Sequence, residues 1–182
     1  MTFRRSTMSR VRAAALLAVA AVAAVALSAC GPAAEPTPTP TAAFASEEEA
    51  FTAAEETYRA YNDAGNARRD GLATPNPQDF LLGSALEGDI EALNQLRESG
   101  LRLDGRVELE LFDGISVSLT EHPPQVVGLV CLDASQAVVR DSHGDDVTPP
   151  ERASKVAQTV TFIAVGDDLL IAAEELAEDP RC

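Results

Sequence analysis

The segment from residue 106 to residue 120, RVELELFDGISVSLT, decides the fold, because the hydrophobic pattern changes its period here. Apolar residues alternate with polar ones in two runs, at Val107, Leu109 and Leu111 and then at Ile115, Val117 and Leu119. A period of two predicts β-strands with one buried face. Asp113-Gly114, between the two runs, is compatible with a tight hairpin or with a bulge in one long, bent strand.

Upstream of this segment, the spacing predicts helices. The first begins at a capping box in which Ser46 is the cap and Glu49 follows three residues later. Its apolar face carries Phe51, Ala54, Tyr58 and Tyr61 at helical spacing. Glycine is a common left-handed stop, so we expect the helix to end at Gly65.

The next residues, 66–78, are polar and contain glycine and prolines, which predicts a loop. A short helical turn is expected at 79–82. A second long helix is expected at about 84–98, with the apolar residues Leu86, Ile90, Leu93 and Leu96 on one face and Gly100 as its stop.

Downstream of the opening segment, the pattern predicts further strands. The nearly continuous apolar run at 125–133 is typical of a central strand, and shorter strands are expected at 138–139, 156–162 and 169–173. Two helices followed by antiparallel strands predict an α+β fold, with two N-terminal helices packed on one face of a curved antiparallel sheet.

The N-terminus has the layout of a secretory signal. Four arginines precede an apolar stretch, Ala13–Leu27, that is shorter than the roughly 20 residues needed to span a membrane. It closes with Leu27-Ser28-Ala29-Cys30. This ending resembles the lipobox of bacterial lipoprotein signal peptides, and the resemblance implies that residues 1–29 are removed. It also implies that Cys30 carries a diacylglyceryl thioether, with fatty acyl chains such as palmitate, and anchors the protein.

Residues 30–43 read CGPAAEPTPTPTAA, and their alternating Pro and Thr predict an extended stalk. With such an anchor, the protein would lie at the cell membrane on its extracytoplasmic face. A single folded domain is expected at 44–182.

The folded domain resembles the NTF2-like, or cystatin-like, cone fold, and in particular lipoproteins of uncharacterised function from high-GC Gram-positive bacteria. The matching features are the lipobox, the stalk, the helix end at residues 96–101 (LRESGL) and the segments 131–135 (CLDAS) and 147–150 (VTPP). The likeness covers residues 44–176. Cones of this kind serve as isomerases, dehydratases, transport factors or non-catalytic binding domains, so the fold does not give the function.

The charge of the chain excludes one class of partner. Lys and Arg number 14 and Asp and Glu number 29, and without the signal segment 10 basic residues remain. A nucleic-acid-binding domain needs a basic surface, so we expect no nucleic-acid partner.

Three cysteines divide unevenly between anchor and domain. With Cys30 lipidated, Cys131 and Cys182 remain as a pair in an oxidising compartment, which favours a disulfide between them. The other interpretation is a buried free Cys131 and a free terminal Cys182.

Residues that could carry catalysis inside a cone are few. They are Tyr58, Tyr61, Asp113, His122 and Asp133. Core packing accounts better for the two tyrosines, and turn chemistry accounts better for the two aspartates. His122 precedes two prolines and is expected to be exposed. We therefore expect no catalytic residue.

The acidic loop 141–146, DSHGDD, lacks the glycine and the glutamate that an EF-hand loop requires. We therefore expect no metal and no cofactor. The first hypothesis is a non-catalytic, membrane-anchored module that binds an envelope protein, a wall component or a small ligand. The second is an enzyme similar to ketosteroid isomerases or dehydratases.

Overall fold

The computed structural model describes residues 44–179 and 181–182, all within one compact unit. The signal segment, Cys30 and the stalk lie outside the described residues, so their interpretation stays a prediction. The chain forms helix α1 (Glu47–Arg69), a short 3₁₀ helix (Pro77–Phe80) and helix α2 (Gly83–Glu98). Six strands follow: β1 (Arg102–Asp104), β2 (Glu108–Ser118), β3 (Gln125–Asp133), β4 (Val138–Arg140), β5 (Lys155–Val165) and β6 (Asp168–Ala177).

The main sheet has four antiparallel strands in the order β2-β3-β5-β6, and β1 pairs with β4 in a separate two-stranded sheet. Helix α1 packs on one face of the main sheet and α2 lies against β6. The coarse expectation of an α+β fold with two N-terminal helices and antiparallel sheets is therefore confirmed. Strand β1 was not expected from the sequence.

Helix α1 begins as expected, because the Oγ of Ser46 accepts a hydrogen bond from the Glu49 backbone N–H at 3.1 Å. Its expected end at Gly65 is wrong, since the helix continues to Arg69. Asn66 explains the extension. Its side chain is 2% exposed and exchanges two 2.9 Å hydrogen bonds with the backbone of Val107. These tertiary bonds outweigh the local preference of glycine for a helix end.

Helix α2 ends as expected. Gly100 has a φ of 66°, its N–H donates to Arg97, and the Leu101 N–H donates to the Leu96 carbonyl at 2.8 Å. This is a complete Schellman motif. The expected apolar face is only half right, because Ala85 is the buried residue of α2 and Ile90 is 43% exposed. The helix packs at the edge of the sheet beside β6, where the area that it can bury is small.

Strand β2 settles the two interpretations of Asp113-Gly114 in favour of a bulge. The strand runs unbroken from Glu108 to Ser118, and its register against β3 shifts twice, leaving Glu110 and Ile115 as extra residues. Gly114 is required at the second bulge, because a Cβ there would lie 2.4 Å from the Phe51 ring of α1.

The core between α1 and the sheet contains Ala50, Ala54 and Tyr58 from the helix, with Val126, Val130, Val160, Phe162 and Ile171 from the strands. Three aromatic rings occupy its centre in edge-to-face contacts. The ring centroids of Tyr58 and Phe162 lie 6.5 Å apart, and those of Phe112 and Phe162 lie 6.1 Å apart.

The opposite, outer face of the sheet carries the C-terminus. A disulfide joins Cys182 to Cys131 of β3, with 5.4 Å between the Cα atoms. Arg181 pairs with Asp113 of β2 and, at 2.9 Å, with Asp179. After the end of β6, the chain therefore returns across β5 to the two strands beyond it.

Candidate functional site

A partly buried polar cluster lies where α1 meets β5 and β6. The hydroxyl of Tyr58 donates to Gln158 Oε1 at 3.1 Å and to Glu174 Oε1 at 3.2 Å, so its single proton is shared between them. The hydroxyl of Tyr61 donates to Glu174 Oε2 at 3.3 Å. Both oxygens of the Glu174 carboxylate are thus held by tyrosines. We call these four residues the Tyr–Glu cluster.

Burial sets the electrostatics of the Tyr–Glu cluster. It raises the pKa of Glu174 above its ordinary value, and the nearby Asp89 raises it further, whereas the two tyrosine hydroxyls oppose the shift. Burial and the Glu174 charge likewise raise the pKa values of Tyr58 and Tyr61. The tyrosines are therefore neutral donors over the ordinary pH range, and Glu174 is the titrating member.

An ion pair borders the cluster. Arg68 of α1 donates two hydrogen bonds to Asp89 of α2, at 2.9 and 2.5 Å, and Gln78 donates a third at 2.9 Å. Burial tends to raise the pKa of Asp89, but the hydrogen bonds outweigh it and the pKa is lowered. Asp89 is accordingly ionised, and it connects α1, α2 and the 3₁₀ helix through its hydrogen bonds to Arg68 and Gln78.

Glu174 was missed by sequence reasoning for a definite reason. In β6, Leu169 and Ile171 point to the core, and simple alternation would place Ala173 and Glu175 inward. The register instead shifts between Thr161 and Phe162, so that Glu174 pairs with Val160 and faces the helix. The extra residue is Ala172. In the sequence, the change in the inward–outward alternation of β6 is marked by two consecutive alanines, Ala172 and Ala173.

The Tyr–Glu cluster has the groups of an acid–base site without space for a substrate. A general base must come within hydrogen-bond reach of the proton that it removes. Here both carboxylate oxygens already accept from tyrosines, and aromatic rings fill the adjoining core. Within the described residues, every buried side-chain nitrogen and oxygen has a hydrogen-bond partner. The arrangement therefore fits a structural network.

The other sequence candidates are not brought to this cluster. Asp113 lies within β2 and pairs with Arg181 on the outer face, so its assignment to a turn is wrong. Asp133 ends β3 in a turn, as expected, with its Oδ1 accepting from the Ser135 N–H at 2.8 Å. The hydrogen bonds from Ser135, together with Lys155, lower the pKa of Asp133 to about 2. His122 is exposed.

A surface cleft of about 800 Å³ opens at the end of the sheet where the β2–β3 and β5–β6 turns lie. Its apolar lining includes Ala53, Phe80, Leu119, Ala164 and Leu169. Its polar lining consists of Glu56, Thr57, Asp79, His122, Asp167 and Asp168, without a lysine or an arginine. The volume is within the range of small-ligand sites.

The acidic loop behaves as a turn. Asp141 Oδ1 accepts from the N–H groups of His143 and Asp145, at 2.8 and 3.0 Å. In the part of the chain that the structure describes, no three His, Cys, Asp or Glu side chains come together as a metal site would require. Neither helix in that part is long and apolar enough to span a membrane.

No protein-family model and no curated protein sequence matches the chain. Among solved structures, it is similar to the intermembrane space region of the chloroplast protein ARC6, at 12% identity and a TM-score of 0.49. The match covers 78% of this chain and 100% of that one. A likeness of this size does not identify a family.

Proposed function

We propose that this chain is an extracytoplasmic lipoprotein, anchored through Cys30, whose domain at 44–182 is an NTF2-like cone that binds a partner and has no catalytic role. The observation that carries the proposal is the packed interior. Tyr58, Phe112 and Phe162 occupy the space between α1 and the sheet that an enzyme of this fold would need for its substrate.

The surface cleft is the binding site that we propose for this domain. Its apolar side chains favour burial of a nonpolar group, and its carboxylates favour a positively charged one. In the described residues, no salt bridge engages Glu56, Asp79, Asp167 or Asp168, so a cationic partner need not displace an internal counter-ion. A partner of the envelope that presents a basic and apolar segment matches both parts of the lining.

Site-specific photo-crosslinking in cells tests the binding role. A benzoylphenylalanine replaces Leu119, which lines the cleft, and in a control it replaces Gln95 on the exposed side of α2. We expect a discrete crosslinked adduct from position 119 that is lost when Asp167 and Asp168 are both changed to Asn. Equal adducts from the two positions, or none from position 119, would contradict the proposed cleft.

The anchor has its own test. In a host that processes lipoproteins, the wild-type protein should partition into detergent and yield an acylated N-terminal peptide, and Cys30→Ala should abolish both. Unchanged partitioning of the variant would reject the anchor and leave the domain's binding role untouched.

The Tyr–Glu cluster favours the second candidate function, an isomerase-like enzyme, because a half-buried carboxylate with a raised pKa between two tyrosines is a usual acid–base arrangement. That hypothesis requires a turnover activity that Glu174→Gln abolishes while the fold is kept. The packed interior is the reason that we rank it second.

A further inference from the structure

After strand β6, residues 178–179 and 181–182 lie on the outer face of the sheet, and we call them the strap. Strand β6 ends at Ala177, which pairs with Ala157 of β5, and Ala157 in turn pairs with Cys131 of β3. Two strand spacings are about 10 Å. The strap covers this distance and is fixed to β3 by the disulfide between Cys182 and Cys131.

Burial on the outer face indicates what the strap covers. Leu129 and Cys131 are 3% and 2% exposed, yet neither belongs to the core cluster between α1 and the sheet. Leu129 pairs with Asp113, and Arg181 reaches over to that aspartate. An outer-face leucine and cysteine are therefore shielded where the strap lies.

The strap is held to the sheet by little besides the disulfide. Among the described residues of the strap, Arg181 forms an ion pair with Asp113 of the sheet, and about half of each side chain is exposed. Exposed ion pairs contribute little to stability. Cys182 is half-buried, whereas Cys131 is 2% exposed, so a reductant approaches the sulfur of Cys182 more readily than that of Cys131.

We propose that the strap is redox-sensitive: it detaches when its disulfide is reduced and uncovers the outer sheet face around Leu129 and Cys131. The co-reactant is a dithiol. Its two thiols are oxidised to a disulfide as the bond between the Cys131 and Cys182 sulfurs breaks, and the two protons and two electrons leave two thiols on this chain. This inference does not depend on the proposed binding function.

Alkylation read out cysteine by cysteine tests the strap. The full chain, isolated in detergent, is treated with dithiothreitol and then N-ethylmaleimide, and mass spectrometry of the cysteine peptides measures each rate. If the strap detaches, Cys131 should react within about tenfold of the rate of Cys182, although it is 2% exposed in the oxidised protein. A rate for Cys131 more than 100-fold below that of Cys182 would show that the strap stays docked, and would overturn the proposal.

Three variants and one structural control complete the experiment. Cys182→Ser should leave Cys131 reactive without any reductant. Arg181→Ala should leave the Cys131 rate in the reduced protein nearly unchanged, because its ion pair with Asp113 is exposed, and so should the control Arg97→Ala, which removes an arginine bonded within α2. A rise of more than about tenfold in Arg181→Ala alone would show that the ion pair keeps the reduced strap docked, and would overturn the proposal. Hydrogen exchange must show α1 and β5 still protected after reduction. Loss of that protection would mean that reduction unfolds the whole domain, and the idea of a local strap would then be wrong.

Discussion

Removing one hydroxyl from the Tyr–Glu cluster should measurably destabilise the fold. In Tyr58→Phe, Glu174 Oε1 and Gln158 Oε1 lose a donor at 3.2 and 3.1 Å. Tyr58 is 1% exposed, so water cannot readily take the place of its hydroxyl. A hydrogen bond to a charged group contributes about 1.5–3 kcal/mol, and we expect a loss of that size.

The assay is urea unfolding of the full chain in detergent, with Tyr61→Phe as the matched variant. The Tyr61 bond to Glu174 is longer, at 3.3 Å, so its removal should cost about 1 kcal/mol. The cost of Tyr58→Phe should grow between pH 4 and pH 8, because the hydroxyl bond favours the ionised form of Glu174.

A double-mutant cycle with Glu174→Gln isolates the interaction. We expect a coupling free energy of about 1 kcal/mol between positions 58 and 174, within the range known for residues in contact. A Tyr58→Phe change of less than about 0.5 kcal/mol, the size of an ordinary surface substitution, would refute the reasoning. So would a cost that is the same whether position 174 is Glu or Gln.

Three further changes have expected outcomes. Burial raises the pKa of Glu174 in the folded state above its ordinary value of 4.5, so the stabilisation from its bound proton is complete below that value and is lost as pH rises through the raised pKa. Glu174→Gln should therefore flatten the fall in the free energy of unfolding over that interval. An unchanged pH profile would contradict this. Gly114→Ala should cost about 1–3 kcal/mol in urea unfolding, since its Cβ would lie 2.4 Å from the Phe51 ring, whereas Gly88→Ala, in a helix with open space around it, should stabilise by about 0.4–1 kcal/mol. Asn66→Ala should cost about 1–3 kcal/mol and lower the helical circular dichroism signal, because the Val107 N–H loses its partner while the Val107 carbonyl keeps its bond from Asn62. An unchanged spectrum would mean that Asn66 does not hold the last turn of α1.

The local signals of the sequence predict the elements well where short-range rules decide them. The N-cap at Ser46, the Schellman end at Gly100 and the continuous apolar run of β3 all appear at the expected places. The second half of the capping box is displaced by one residue, because the Glu49 carboxylate accepts from the Ala45 N–H and not from that of Ser46. Each depends on residues within one or two turns, or on burial of both faces of a strand. The extension of α1 beyond Gly65 depends instead on bonds between Asn66 and Val107, which lie 41 residues apart.

The candidate site was harder to predict, because one extra residue in β6 reverses which side chains face the helix. Tyr58 and Tyr61 were identified as core residues, and their rings do pack there. Their hydrogen-bond partner Glu174 could not be found from alternation, since the bulge at Ala172 is set by pairing with β5. The cleft was also missed, because its lining comes from α1, the 3₁₀ helix and the β2–β3 and β5–β6 turns, which are distant in sequence.

The two bulges of β2 have a consequence for encounters between copies of this protein. β2 is an edge strand, and a regular edge offers a row of free amide and carbonyl groups to a neighbour's edge. The extra residues Glu110 and Ile115 interrupt that row and twist it, while Glu110 adds a charge. Such an edge is a poor template for a continuous intermolecular sheet, even at high protein concentration. The bulges of β2 therefore disfavour aggregation through this edge, although Ile115 is 54% exposed.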